Sequence, residues 1–309
     1  MKPNFITFVR KGAAQVLKYG PGLLYWRYLR RRGILRAEPL RCDPEAALEV
    51  HTQVCARDWL NCLWSIRSFA HFVPGPFRLV VQIDRTVDAK TEAVLRRHFP
   101  GAIFQPVEPV PAAVTAFFAE RYPALYALRC DPAYSTMPKV TDSYLLRRNG
   151  TIVTIDPDIL FFASPTELLN GIPAGAPYFS ALNLPKFPTD PKGAYCVEAD
   201  ELGAKFGISF PISFQFGLGL LDYSKWDWDR IEEIARGLTF DRNRGLLTDQ
   251  TLFAIMSVLA GQNPLPIDRY AVAPVPSLEG VVARHYYGHT RDLLYKEGIP
   301  ALIRKGIVS

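Results

Sequence analysis

Cysteine is scarce and irregular in this chain: five residues among 309 (Cys42, Cys55, Cys62, Cys130 and Cys196), odd in number, scattered and without a Cys-x-x-Cys pair. That argues against a disulfide framework and a cysteine-built zinc site, and fits reduced, mostly core thiols in a cytosolic protein. No apolar run approaches the roughly 18 residues of a spanning helix, so a transmembrane anchor is not expected. Internal repeats and low-complexity tracts are lacking too, which removes solenoid and disordered architectures. Acid is missing from residues 1–36, which carry nine lysines and arginines. The whole chain is only +6, so the remainder sums to −3 and the main body is not basic. With the positive charge confined to one end and no recognised binding motif beside it, nucleic acid is not an expected partner.

What that basic end does contain is apolar periodicity. Phe5, Phe8, Val9, Gly12, Ala13, Val16 and Leu17 recur at helical spacing, and after Gly20-Pro21-Gly22 an aromatic stretch, Leu23 to Leu29, runs into Arg30-Arg31-Arg32. Such a segment either lies on an anionic membrane surface, the protein being cytoplasmic and peripheral on the inner face, or packs on the protein's own body. The expected organisation is a basic amphipathic segment over 1–40 and one domain over 41–309.

From about residue 46 strand and helix patterns alternate. Ala47–Cys55 reads as a strand, with Asp58 capping a helix from Trp59 to about Phe69. Phe77–Ile83 reads as a second strand ending at Asp84. Asp88 caps a helix stopped by Pro100-Gly101, and Ile103-Phe104 begins a third strand. A short helix is expected over Val114–Glu120, and another begins at Pro138 and carries Lys139. Ser164-Pro165-Thr166-Glu167 has the form of a capping box. The stretch 173–210 is rich in Pro and Gly and reads as an excursion over the active face. Phe214–Asp222 resumes strand character, Trp228–Arg236 reads as a helix, and Thr248-Asp249-Gln250 opens a helix closed by Gly261. This alternation predicts an α/β fold whose sheet is mainly parallel, with helices on both faces.

The most informative stretch is Thr151–Phe162, an apolar, β-branched run interrupted by Asp156-Pro157-Asp158. A period of two puts both carboxylates on one side of a strand's end, and Pro157 stops the ladder between them. Ligands of open α/β sheets bind at the carboxyl ends of strands, and paired hard oxygen donors there suit Mg2+ or Mn2+ and, through it, a diphosphate. A solvated turn is the plainer reading of an isolated Asp-x-Asp.

Three later motifs decide the matter: Phe214-Gln215-Phe216-Gly217 before a strand, Asp249-Gln250 at a helix start, and His285-Tyr286-Tyr287-Gly288 near the end. With Lys139 ahead of the Asp-x-Asp strand, this order resembles the GT-A nucleotide-sugar glycosyltransferases. Within them it is most similar to retaining family 8, which contains glycogenin and bacterial lipopolysaccharide sugar transferases. The resemblance covers about 46–295. It implies a Rossmann-like GT-A fold and metal-dependent transfer of a sugar from a nucleoside-diphosphate donor, UDP-linked, to a glycan, lipid-linked glycan or protein. Asp156, Asp158 and His285 would hold Mn2+ or Mg2+, the imidazole tilting the choice to Mn2+. Lys139, His289 and Arg291 would face the donor phosphates, although the family more often has Lys-Pro-Trp after its Gly. Asp84 would reach base or ribose, and Gln215 stands where the family has Asn. Asp249 would bind sugar hydroxyls, and Gln250 would face the reacting carbon. The alternatives are a non-catalytic nucleotide-sugar-binding or membrane-associated scaffold protein, and a phosphatase that uses Asp156 as nucleophile.

Overall fold

The computed structural model describes residues 13, 17, 20–174, 178–180, 194–210, 214–261, 263–272 and 274–307. The strands are β1 Glu49–Val54, β2 Arg78–Ile83, β3 Ile103–Pro106, β4 Thr151–Ile155, β5 Ile159–Phe161, β6 Tyr178–Ser180, β7 Gln215–Asp222, β8 Asn263–Pro264, β9 Tyr270–Ala271 and β10 Ala283–His285. Seven form one sheet in the order β3-β2-β1-β4-β7-β6-β8, while β5, β10 and β9 form a second, smaller sheet. β3, β2, β1 and β4 are parallel, and β7 runs antiparallel to both β4 and β6. The expected mainly parallel α/β sheet is therefore what the chain builds.

The helices that cover it are α1 Trp59–Phe72, α2 Ala89–His98, α3 Ala112–Phe118, α4 Pro123–Cys130, α5 Thr141–Leu146, α6 Thr166–Ala174, α7 Ala199–Phe206, α8 Trp228–Gly237, α9 Thr248–Ala260 and α10 Ile299–Arg304. Strand alternation divides the core. Val153 and Ile155 of β4 pack with α1 and the C-terminal segment on one face, whereas Ile152 joins Val114, Leu125, Trp228 and Phe253 on the other. Both faces of β4 are thus buried, which is why its sequence reads as an uninterrupted apolar run. Asp88 caps α2 by accepting the Thr91 amide at 2.7 Å, and Gly261 closes α9 in the left-handed conformation with φ of 65°.

Several local expectations are corrected. Asp58 makes no side-chain cap on α1, because its carboxylate is turned to Arg57 and Arg291. Pro138 opens no continuous helix: Met137–Lys139 is a 3-10 turn, and α5 starts only at Thr141. Glu167 completes no capping box, since its carboxylate bonds Tyr270 Oη at 2.7 Å and pairs with Arg269. The 173–210 excursion is not wholly irregular, because it contains β6 and α7. Of the N-terminal stripe, only Ala13 and Leu17 lie among the described residues. Residues 21–36, in contrast, are docked on the body. Leu23 and Ile34 are buried, Trp64 Nε1 donates to Arg31 O at 2.9 Å, and an Arg31 guanidinium nitrogen donates to Tyr295 Oη at 3.0 Å. No helix among the described residues is long and apolar enough to cross a membrane.

Candidate active site

The carboxyl ends of β1, β2 and β4 open into a cleft of about 530 Å3, whose lining includes Asp84, Lys139, Asp156, Asp158, Gln215, Asp249, Gln250, His285 and Arg291. The fold assembles it by two separate stitches. β4 ends as the Asp156 amide donates to Gly217 O at 2.7 Å, and the chain then turns through Pro157 into β5. β5 pairs antiparallel with β10 so that His285 stands opposite Ile159, and the Tyr286 amide donates to Asp158 O at 2.9 Å. The His285 ring is thereby delivered beside the second carboxylate.

Within the cleft, one ligand atom each from Asp156, Asp158 and His285 lies within 4.8 Å of the others. Lys139 Nζ is 2.6 Å from Asp156 Oδ1 and 2.8 Å from Asp249 Oδ2, so one ammonium joins the first strand-end carboxylate to the start of α9. Its position is set from below: Gln82 Nε2 donates to Pro138 O at 2.9 Å, and Gln53 Nε2 donates to Ser135 O at the same distance. Arg291 is shared in the same way. One guanidinium nitrogen lies 2.6 Å from Asp158 Oδ2 and the other 3.3 Å from Asp58 Oδ1.

Burial would lower the Lys139 pKa, yet the Asp156 and Asp249 carboxylates more than reverse this and raise it. For Asp158 burial acts upward, but His285 and Arg291 outweigh it and the carboxyl is held well below the ordinary carboxylate range. Asp156 goes the other way. Burial raises it, the neighbouring Asp158 and Asp249 add to the rise, and Lys139 and His285 only partly oppose them.

The lining carries five carboxylates (Asp58, Asp84, Asp156, Asp158 and Asp249) against three cationic side chains (Arg57, Lys139 and Arg291), an excess of two negative charges. A diphosphate entering such a cleft would be repelled unless a cation came with it. The donor set of two carboxylates and one imidazole fits a divalent metal, and the imidazole's other nitrogen is already engaged by Gln215 Oε1 at 2.7 Å.

The remaining residues singled out from the sequence fall as follows. Asp84 is a turn carboxylate: Oδ1 accepts from the Thr86 amide at 2.8 Å and from Thr86 Oγ1 at 2.6 Å, on the cleft wall. Asp249 is buried and its Oδ1 accepts the Gln250 amide at 2.8 Å, so it serves its own helix start as well as Lys139. Gln250 Nε2 donates to Ala194 O at 2.6 Å. Gln215 lines the cleft, and its Oε1 is engaged by the His285 ring. The side chain of His289 lies outside the described residues. Asp58 also belongs to the cleft, through Arg291; in sequence the only pointer to it is its place after the β1 strand beside Arg57, which equally suits a helix cap.

No protein-family model matches the chain, and no curated protein matches it by sequence. Among solved structures, mouse xyloside xylosyltransferase 1 in its apo form is similar with a TM-score of 0.50 at 12% identity, over 82% of this chain and 99% of that one. The apo bifunctional glycosyltransferase WbbM is similar with a TM-score of 0.51 at 14% identity, over 81% of this chain. This chain spans about half of WbbM, 47% of its length. At such identities the likeness is one of architecture alone, and together with the mainly parallel sheet and its helices it gives the chain a GT-A glycosyltransferase fold.

Proposed function

We propose that this chain is a metal-dependent glycosyltransferase that moves a sugar from a nucleoside diphosphate to a carbohydrate-type acceptor, with retention at the anomeric carbon. The observation that carries the reading is the convergence of Asp156, Asp158 and His285 at the carboxyl end of β4, beside the Lys139 bridge to Asp249. A divalent cation held there, Mn2+ for a shell containing an imidazole, would neutralise the diphosphate as the sugar leaves it.

The chain's own groups take the other parts. Arg291, already on Asp158 Oδ2 at 2.6 Å, is placed to turn its guanidinium to a phosphate. Asp249 and Gln250, at the start of α9, face the cleft where the sugar would sit. Asp249 is held in place by Lys139 and by the Gln250 amide of its own helix, which fixes its carboxylate at the cleft as a group to bind sugar hydroxyls, and the retaining route follows from the family resemblance. The choice of UDP follows from the family resemblance. We further infer that residues 1–36 contact an anionic membrane surface, with Tyr25, Tyr28, Leu29, Arg32 and Arg36 exposed on the docked part.

The test is thermal stabilisation by Mn2+ combined with a panel of nucleoside diphosphates, followed by analysis of the product's anomeric configuration. Joint stabilisation by Mn2+ and one diphosphate is expected. No stabilisation by any of them sinks the donor site, stabilisation without turnover favours the non-catalytic binding protein, and an inverted linkage removes the retaining mechanism.

A further inference from the structure

The His285 ring stands between two oxygen atoms. Nε2 is 2.9 Å from Asp158 Oδ1, and Nδ1 is 2.7 Å from Gln215 Oε1. A neutral imidazole has one N–H and one lone pair, so it can donate to only one of these acceptors. A cation bound to Asp158 and Nε2 takes the lone pair on that side and leaves the proton on Nδ1. Gln215 Oε1 is the oxygen that receives it.

We propose that Gln215 is the positioning residue of the metal centre: its amide oxygen holds the Nδ1–H tautomer of His285 and so presents the Nε2 lone pair to the cation. The role rests on the cation site proposed above. Three features of β7 support it. Gln215 is the first residue of the strand and is buried, and its amide nitrogen has only a long 3.5 Å contact, to Phe216 O, so its hold on His285 is its short hydrogen bond. Gly217, two residues on and therefore on the same face, provides the floor: a Cβ there would come within 2.6 Å of Nδ1. Finally, Gly217 O accepts the Asp156 amide, so the strand that seats the imidazole also fixes the first carboxylate. Metal-bound histidines commonly donate their second ring N–H to such a partner, and its loss typically costs about 10–100-fold in metal affinity.

The experiment measures Mn2+ affinity of the full chain, with pulsed EPR of the bound Mn2+ to read the coupling to an imidazole nitrogen. Gln215→Met keeps the bulk and removes the acceptor, Gln215→Glu keeps an acceptor oxygen in place, and His285→Ala removes the ligand. The expected result is binding weakened about 10–100-fold in Gln215→Met, with the nitrogen coupling diminished, and affinity and coupling both restored in Gln215→Glu. If His285→Ala weakens binding while Gln215→Met binds as the wild type does, the role of Gln215 is overturned and the cation site stands. Equal loss in the Met and Glu variants assigns Gln215 to packing and overturns the role as well. A wild-type protein that binds no Mn2+ removes the cation site and this role together.

Discussion

His285 Nε2 lies 2.9 Å from Asp158 Oδ1 across 127 residues of chain. The contact is made by backbone pairing, since β5 continues directly from the Asp-x-Asp turn and β10 ends on His285 itself. Anything that breaks the short β5–β10 ladder therefore separates the two.

Asp158→Asn keeps the side chain's shape and removes the charge that His285 and Arg291 share. Metal-dependent transfer or donor hydrolysis should fall by about a hundredfold or more, and stabilisation by Mn2+ should vanish while the far-UV circular dichroism stays unchanged. Turnover at the wild-type rate would take Asp158 out of the metal's shell.

Lys139→Met takes away the ammonium that joins the part-buried Asp156 to the buried Asp249. Losing such a part-buried bridge should cost about 1–3 kcal/mol, read as a lower urea midpoint at neutral pH. Adding Asp249→Asn should recover part of that loss, and a midpoint that Lys139→Met does not move would show that the bridge contributes nothing to stability.

Gly217→Ala should cost about 1–3 kcal/mol as the His285 ring is pushed from its floor, and Mn2+ affinity should fall with it. Gly203 is the contrast. It lies within α7, where the nearest atom to an added Cβ is Ile208 O at 3.9 Å, so Gly203→Ala should be neutral or stabilising by up to about 1 kcal/mol. Thermal denaturation of the two variants side by side separates crowding at the site from a general intolerance of added methyl groups.

Glu49 supplies a pH dependence away from the cleft. Burial pushes its pKa up, but the hydrogen bond and charge of His51 and the amides of Asn149 and Arg148 bring it down from 4.5 to about 2. The folded state thus binds fewer protons there than the unfolded chain between those values. The stabilisation is complete above 4.5 and is withdrawn as the pH falls toward about 2. Glu49→Gln should lower stability at neutral pH by a few kcal/mol and flatten acid denaturation in that window. An acid limb that is identical in the variant would refute the assignment.

Residues 21–36 are docked through Leu23 and Ile34, so membrane contact is best tested without deleting them. Leu29 is 66% exposed and Arg32 is also exposed, and Leu29→Glu with Arg32→Glu should weaken sedimentation with anionic vesicles, each arginine being worth about 1 kcal/mol at such a surface. A wild-type protein that never sediments with them leaves the segment a packing element.

The legible parts of this molecule were those written in local periodicity. The β-branched run of β4, the alternation through β1, α1 and β2, and the αL glycine ending α9 all follow from neighbours in sequence. Side-chain direction at the site was less accessible. Asp58 has the spacing of a helix cap, yet its carboxylate is turned to Arg57 and to the distant Arg291, and Gln215, which the resemblance sets where the family has Asn, is engaged by the distant His285. Conservative spacing in sequence says where a functional group lies along an element, and the tertiary partner decides where it points.

The antiparallel pairing of β5 with β10 also sets a schedule for the growing chain. Asp156 and Asp158 are synthesised long before their imidazole, and at about 5–20 residues per second His285 follows Asp158 by roughly 6–25 s. Until then β5 has no β10 partner, and two carboxylates wait at its entrance. Possession of the full donor set is in this sense a late property of biosynthesis, acquired only when the last strand of the smaller sheet has been made.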